Sequence, residues 1–334
     1  MIIGIETTCD ETAISLLEPP LNVLHQQLYS QNEVHKEKNG VIPEIAARLH
    51  LTHLLPIFHQ SLQAVKLSVV DIDAIAVARG PGLIGSLLVG MSFAKTLALT
   101  LEKPLVCVNH VEAHIYAALM SHGKNKIEES IGVVLSGGHT FFCLIHSIGE
   151  YTYLGETLDD AIGEAFDKVA IMLGLSYPGG SLIEQLALEG DEKRFSFKGG
   201  QINPYNVSFS GLKTAVLYKI RDLESNSPLS SQDRADIAAS FQRSACNVIC
   251  GTLHKICSNY NLKSIVFGGG VTANTYLKHL LVKEFGNRFQ IYFPHAELAT
   301  DNAVMIAGLG ALQLEREGPS SIDSRADPIL RLIS

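Results

Sequence analysis

One order of secondary-structure signals runs through this chain twice, and that constrains its fold more than any single motif does. Apolar runs at 1–6, 12–18 and 22–30 have strand composition, and Thr7-Thr8-Cys9-Asp10-Glu11 between the first two suits a hairpin turn. A helical pattern follows over 41–66, with Pro43 allowed in its first turn and Pro56 expected to kink or break it. A buried strand at 73–79, a glycine-dotted helix at 83–101, a strand at 105–108 and a helix opening at His110 complete the order βββαβαβα. After a polar connector at 121–130 the order restarts: strands at 131–135, 140–146 and 151–155, then a helix at 160–173. An irregular insertion at 174–230, rich in Gly, Ser, Pro and Asn, precedes a helix at 233–258, a strand at 264–267, a helix at 272–285, a strand at 290–293 and a last helix at 301–316. The reading is an α/β chain of two similar lobes about a central cleft. The first lobe is 1–120, completed by a C-terminal helix within 301–334, and the second is 130–300.

Within the first copy, Asn109-His110-Val111-Glu112-Ala113-His114 stands where a strand passes into a helix. Residues four apart lie on one helical face, so His110 and His114 can share one metal ion. Glu112 is about 200° round from His110 and points elsewhere, unlike the zinc-protease pattern in which Glu directly follows the first His. With Asn109 as N-cap, Glu112 completes a capping-box pattern. The corresponding helix of the second copy starts at Thr300-Asp301-Asn302. A pseudo-two-fold axis would bring Asp301 of the second copy opposite the two histidines, giving a His, His, Asp set with open positions. Taken alone, Asp301 reads as a helix N-cap.

Composition narrows the function classes. A net charge of −8 advertises no nucleic acid. The absence of an unbroken run of eighteen apolar residues and of a basic leader points away from a membrane span or signal peptide. Cys9, Cys107, Cys143, Cys246, Cys250 and Cys257 sit in apolar contexts, which suits a reduced, cytoplasmic location. Cys246, Cys250, His254 and Cys257 share one helical face but span roughly 16 Å, too far for one ion, so core packing is expected.

Three glycine turns remain. Ser136-Gly137-Gly138 allows backbone N–H groups to approach an anion, and Gly268-Gly269-Gly270 leads through Val271-Thr272-Ala273 to Asn274, where a base or ribose could dock. Gly80-Pro81-Gly82 reads as a structural turn. Neither the P-loop lysine motif nor a dinucleotide fingerprint occurs, so a bound nucleotide would be held in the actin-like, sugar-kinase-like (ASKHA) manner.

These residues form an ordered set. Glu6-Thr7-Thr8-Cys9-Asp10-Glu11-Thr12, Gly80-Pro81-Gly82-Leu83, His110 to His114, Ser136-Gly137-Gly138-His139-Thr140 and Asp159-Asp160-Ala161 are followed by Gly163-Glu164-Ala165-Phe166-Asp167-Lys168 and Tyr177-Pro178-Gly179-Gly180. Ser208-Phe209-Ser210-Gly211-Leu212-Lys213-Thr214, Gly269 to Asn274 and Thr300-Asp301-Asn302-Ala303 complete it. The chain resembles the bacterial tRNA adenosine threonylcarbamoyltransferases, formerly called O-sialoglycoprotein endopeptidases, from residue 1 to about 310. The resemblance implies an ASKHA fold and an acyltransferase. Its donor would be threonylcarbamoyl-AMP, supplied by a separate synthase, and its acceptor the N6 amine of the adenosine 3′ of the anticodon in tRNAs reading ANN codons. It further implies one divalent ion, Fe2+ or Zn2+, on His110, His114 and Asp301. The adenylate would lie along Val134, Leu135, Ser136, Gly137 and Gly138, with Asp167, Gly180 and Asn274 on its nucleoside part. Asp10, with Glu11 beside it, takes the catalytic acidic position. Implied partners are tRNA, an inactive smaller paralogue pairing with the first lobe, and a small ATPase; no membrane is involved.

The chain departs from the family pattern at Asn109, Ser176 and Glu184. Lys193, Arg194, Lys198 and Lys213 are the candidate cations for an RNA path. Two other classes compete: a nucleotide-binding ASKHA scaffold or regulatory protein without turnover, and a metallopeptidase, which the position of Glu112 disfavours.

Overall fold

The computed structural model describes residues 1–332 apart from 39, 125, 126, 203 and 226; part of the expected 121–130 connector and the last two residues of the C-terminal span lie outside the described residues. Chain contacts divide it into two units, Met1–Ile127 with Pro294–Ser334, and Glu128–Phe293.

The first unit opens with β1 (Ile2–Glu6), β2 (Glu11–Glu18) and β3 (Asn22–Ser30), a meander in which both pairings are antiparallel. A short α1 (Asn32–Lys36) leads to α2 (Pro43–Ala64), β4 (Ala74–Gly80), α3 (Ile84–Leu101), β5 (Leu105–Asn109) and α4 (His110–Ser121). Parallel pairing of β4 with β1 and of β5 with β4 gives the sheet order β3-β2-β1-β4-β5. Ile3, Ile5, Ile14, Leu16 and Val77 on this sheet pack with Leu54, Ile57, Phe58 and Leu62 of α2 and Met91, Ala94 and Ala98 of α3. Each of the larger of these side chains (Val, Leu, Ile, Phe, Met) contributes about 1.5–3 kcal/mol on burial, enough for α2 to continue through Pro56, which it does without a break.

The second unit repeats the plan. It contains β6 (Ser130–Leu135), β7 (Thr140–Ser147), β8 (Glu150–Glu156), α5 (Ile162–Met172), α6 (Gly180–Ala187), β9 (Gly200–Ile202), β10 (Asn206–Ser208), α7 (Ser210–Glu224), α8 (Ser231–Asn259), β11 (Ser264–Gly268), α9 (Thr275–Phe285) and β12 (Gln290–Tyr292). Its main sheet runs β12-β11-β6-β7-β8, with the same mixture of antiparallel and parallel pairs as the first. The duplicated ASKHA core is therefore explicit in the strand order. The chain then returns to the first unit through α10 (Ala296–Ala299) and α11 (Ala303–Glu317), which lies against β1, β2, β4 and β5.

Four sequence expectations need correction. The segment 174–230 is not irregular: it holds α6, α7 and the β9–β10 pair, and Leu212, Val216 and Ile220 form a buried stripe at helical spacing among its turn residues. The helix expected at 272–285 is divided, because Gly270–Ala273 form a 3-10 turn and Asn274 caps α9 by accepting from Leu277 N at 2.8 Å. The C-terminal helix ends at Glu317, within one residue of the 301–316 expectation, so the rest of the 301–334 span is not helix but a tail along β5 and β4, with Ser320 N donating to Leu105 O (2.7 Å) and Asp327 N to Arg79 O (3.0 Å). Finally, the His, His, Asp set is not drawn from two facing halves: Asp301 belongs to the same unit as His110 and His114, because the chain has re-entered the first unit at Pro294.

Two further points concern helices. Cys246, Cys250 and Cys257 of α8 are buried in the second core while His254 faces outward against Glu284 at 3.2 Å. By length and composition α3 passes as a membrane span (mean hydropathy 1.6), but Leu87, Gly90, Met91, Ala94 and Ala98 on it are buried in the first unit.

Candidate metal centre and catalytic turn

His110 is the first residue of α4, and Asn109 fixes that helix end. Its side-chain oxygen accepts from Val111 N (2.9 Å) and Glu112 N (3.2 Å), and its amide donates to Arg331 O in the C-terminal tail (3.1 Å). The His110 and His114 rings stand edge to face, their centroids 4.6 Å apart. Asp301 lies between α10 and α11, where the neighbouring Asn302 caps α11 by accepting from Met305 N at 2.9 Å. Asp301 Oδ1 is 3.1 Å from His114 Nε2 and 3.6 Å from His110 Nε2, and the three ligand atoms all fall within 4.8 Å of one another.

Metal–ligand bonds of about 2.0–2.2 Å put tetrahedral neighbours roughly 3.4 Å apart, so the Asp301 separations suit one small divalent ion. Two imidazoles and one carboxylate leave coordination positions open. Both histidines are buried, and His114 Nδ1 has no hydrogen-bond partner. Glu112 takes no part: its Oε2 faces Gln313 Nε2 of α11 at 3.3 Å, which removes it as a general base at this centre.

The charge balance also suits a cation. Burial raises the Asp10 carboxyl above its ordinary range, with the Asp301 charge adding to the effect against the Cys9 thiol. Burial lifts Glu11 to about 8 despite the Ser30 hydroxyl at 2.8 Å, and the charges of Asp10, Asp301 and Glu6 push the same way. Burial opposes charge on His110, but the Glu6 and Asp301 carboxylates outweigh it and raise the imidazole to about 9.

Asp10 and Glu11 stand on the turn joining β1 to β2, and that turn is held from several sides. Cys9 O accepts from His50 Nε2 of α2 (3.0 Å) and Ser86 Oγ of α3 (3.2 Å), Thr8 O accepts from Leu83 N (2.8 Å), and Asp10 O accepts from Gln31 N (3.1 Å). Burial keeps His50 neutral, so its Nε2–H donates to Cys9 while Nδ1 accepts from Thr12 Oγ1 at 2.7 Å. Gly82 packs its backbone onto Thr8, where a Cβ would come within 2.5 Å of Thr8 O, which gives Gly80-Pro81-Gly82 a structural use. Sequence reading passed over Glu6, His50 and Ser86. A lone carboxylate ending the apolar strand Ile2-Ile3-Gly4-Ile5 was the available signal for Glu6.

The expected nucleotide residues all lie in the second unit. Val134 and Leu135 end β6, and Ser136-Gly137-Gly138 turn into β7 with Ser136 N donating to His139 O at 2.8 Å. That bond occupies one of the three N–H groups expected to face an anion, leaving those of Gly137 and Gly138. Asp167 Oδ1 accepts from Gly179 N (2.7 Å) beside Gly180 at the start of α6. The Asn274 amide donates to Gln242 Oε1 (2.9 Å), and Glu184 accepts from Thr275 N (2.7 Å). A Cβ added at Gly137, Gly138 or Gly180 would meet nothing within 4 Å, so the protein's own packing does not require glycine there and the space is available to a ligand.

The cation path is reduced. Lys213 pairs with Asp160 (2.6 Å) and Arg194 with Asp233 and Asp236 (2.7 and 2.6 Å), whereas Lys193 and Lys198 are exposed.

Comparison with known proteins fits this arrangement. A full-length HypF protein crystallised with phosphate and nucleotide superposes with a TM-score of 0.61 at 14% identity, covering 96% of this chain and 47% of that one. The (R)-2-hydroxyglutaryl-CoA dehydratase component A of Acidaminococcus fermentans does so with 0.55 at 14% identity, covering 92% and 96%. These show the fold alone. By sequence, the tRNA N6-adenosine threonylcarbamoyltransferase of Protochlamydia amoebophila (strain UWE25) is 49% identical over 325 residues, 96% of this chain and 94% of that protein. The family model described as tRNA N6-adenosine threonylcarbamoyltransferase matches residues 22–308. With its duplicated fold and its His, His, Asp cluster in place, the chain belongs to the tRNA N6-adenosine threonylcarbamoyltransferase family.

Proposed function

We propose that this protein transfers the threonylcarbamoyl group of threonylcarbamoyl-AMP to the N6 amine of the adenosine 3′ of the anticodon in tRNAs reading ANN codons. The observation that carries the reading is the convergence of His110, His114 and Asp301 in a chain of this family. They would hold one divalent ion, Fe2+ favoured by the two-histidine, one-carboxylate donor set and Zn2+ the alternative. When bound, that ion supplies Lewis-acid polarisation of the donor's carbonyl.

The chain's own residues do the rest. Asp10 orients the incoming amine and accepts its proton as the new C–N bond forms and the bond to the AMP phosphate breaks. Burial raises its carboxyl above the ordinary aspartate range, which makes it a stronger proton acceptor than an exposed aspartate. Glu11, which burial raises to about 8, keeps a hydrogen-bonded place beside it on the Ser30 hydroxyl. Val134, Leu135 and Ser136 shape the floor under the adenylate, the N–H groups of Gly137 and Gly138 receive the departing phosphate, and Asp167, Gly180 and Asn274 contact the nucleoside. No protein nucleophile is needed.

The proposed partners are tRNA, a smaller inactive paralogue, a small ATPase and a separate synthase, and surface chemistry supports the paralogue's place. Leu51 and Leu55 of α2 and Leu88 of α3 are 68%, 51% and 52% exposed around an apolar groove of about 440 Å³. That is the face offered to the smaller paralogue, and such an exposed apolar patch marks an interaction site. A small ATPase and a separate synthase complete the cytoplasmic pathway, and much of the RNA surface comes from partners because Arg194 and Lys213 are engaged by carboxylates. The test is mass spectrometry of tRNA from cells depleted of this protein. Threonylcarbamoyladenosine should disappear, return with the wild-type chain and stay absent with His114→Ala; its persistence after depletion refutes the proposal.

A further inference from the structure

Glu6 ends β1 with a side chain wholly out of solvent, and both of its oxygens are engaged. Oε1 accepts from Thr8 N at 2.6 Å, and Oε2 lies 2.9 Å from His110 Nδ1. A carboxylate so placed can only accept, so the imidazole proton between them sits on Nδ1 and Nε2 is the atom turned toward Asp301. The second histidine has no such partner, since its buried Nδ1 is unbonded. Burying a carboxylate is costly unless its charge and lone pairs are used, and here they are used on a single ring and on the turn carrying Asp10 and Glu11.

We propose that Glu6 is a positioning residue of the metal centre, fixing His110 in the Nδ1-protonated tautomer so that Nε2 is its ligand atom, and tying that ring to the catalytic turn. The inference rests on the metal reading of His110, His114 and Asp301. Glu6 itself is not a ligand, because Thr8 and His110 occupy both of its oxygens. Removing a partner of this kind typically costs 10–100-fold in metal affinity.

The experiment titrates chelator-stripped full-length protein with Zn2+, and with Co2+ for its visible spectrum, in the wild type and in Glu6→Gln, His110→Ala and the double variant. An amide keeps the volume of the carboxylate but has one acceptor oxygen, so it cannot serve both Thr8 N–H and His110 Nδ1–H. Glu6→Gln should weaken metal binding 10–100-fold and alter the Co2+ spectrum, and in the His110→Ala background it should add nothing further. A side chain important only for folding would lower affinity by the same factor in both backgrounds. A wild type that takes up neither ion sinks the metal reading itself, whereas uptake by the wild type with equal affinity in Glu6→Gln overturns the role of Glu6 alone. A measurement independent of any variant is the ¹⁵N histidine spectrum of the Zn2+-loaded wild type. It should show the His110 proton on Nδ1, and a proton on Nε2 overturns the inference.

Discussion

Replacing Gly4 with alanine tests how the fold holds its site. Gly4 lies at the centre of β1, and a Cβ there would sit 2.2 Å from Ala303 O, 2.7 Å from Ser15 Oγ and 2.8 Å from Ala307 N. An ordinary carbon contact is about 3.5 Å, so the first turn of α11 must retreat from the sheet by about 1 Å. Two of the three obstacles are backbone atoms, so no side chain can simply rotate away, and Ser15 Oγ already donates to Ala303 O at 2.7 Å. Overpacking of this kind costs typically 1–3 kcal/mol, and we expect the upper part of that range, a fall in Tm of about 5–10 °C. Asp301 lies two residues before Ala303, so the retreat carries its carboxylate with it. Coordination tolerates only about 0.2 Å, and the Asp301 Oδ1 to His114 Nε2 separation of 3.1 Å would not survive. Zinc affinity by competition with a chromophoric chelator should fall by more than tenfold, in step with Tm. Gly211→Ala, whose Cβ meets nothing within 4 Å, is the control and should leave both values at or above wild type. A Gly4→Ala protein with unchanged Tm and metal affinity would refute the argument that α11 sets the position of the third ligand.

Two further outcomes follow. In the opposite sense to Gly4, Gly137→Ala and Gly180→Ala have room for a Cβ within the protein and should keep Tm within about 1 °C while weakening binding of an adenylate analogue at least tenfold by calorimetry; unchanged binding would move the nucleotide elsewhere. For the metal-free protein, Glu11 is raised from 4.5 to about 8 and His110 from 6.5 to about 9, so the native state holds more protons than the unfolded chain across both windows. Stability should therefore fall as pH rises from about 5 to 9, and saturating Zn2+ should flatten that slope by replacing the His110 proton. Thermal melts with and without chelator measure this, and a metal-free Tm that climbs toward pH 9 would contradict it.

Much of this was legible in the chain because the signals were local. The repeated βββαβαβα order, the histidines four apart and the cap at Asn109 are short-range patterns, and each corresponds to an observed element. What escaped depended on long-range packing. The helices α6 and α7 were hidden because turn residues dominate 174–230, while the stripe that stabilises α7 makes sense only against a core formed by distant strands. Asp301 was identified, but as a ligand met across a two-fold axis, because sequence order cannot show that the chain crosses back as early as Pro294. His50 and Ser86 read as ordinary helix residues, and only the fold reveals that they hold a carbonyl of the Asp10 turn.

That return at Pro294 bears on biosynthesis. By the time Ile127 has left the ribosome both imidazoles exist, but the carboxylate and the helix that covers β1 are still unmade, and the intervening unit from Glu128 to Phe293 must be translated first. A nascent chain stopped anywhere in that interval exposes the apolar face that α11 later covers and has at most a two-point grip on a cation. Emergence of Asp301 and α11, rather than of the histidine motif alone, thus marks the moment when all three residues of the proposed ion site exist together.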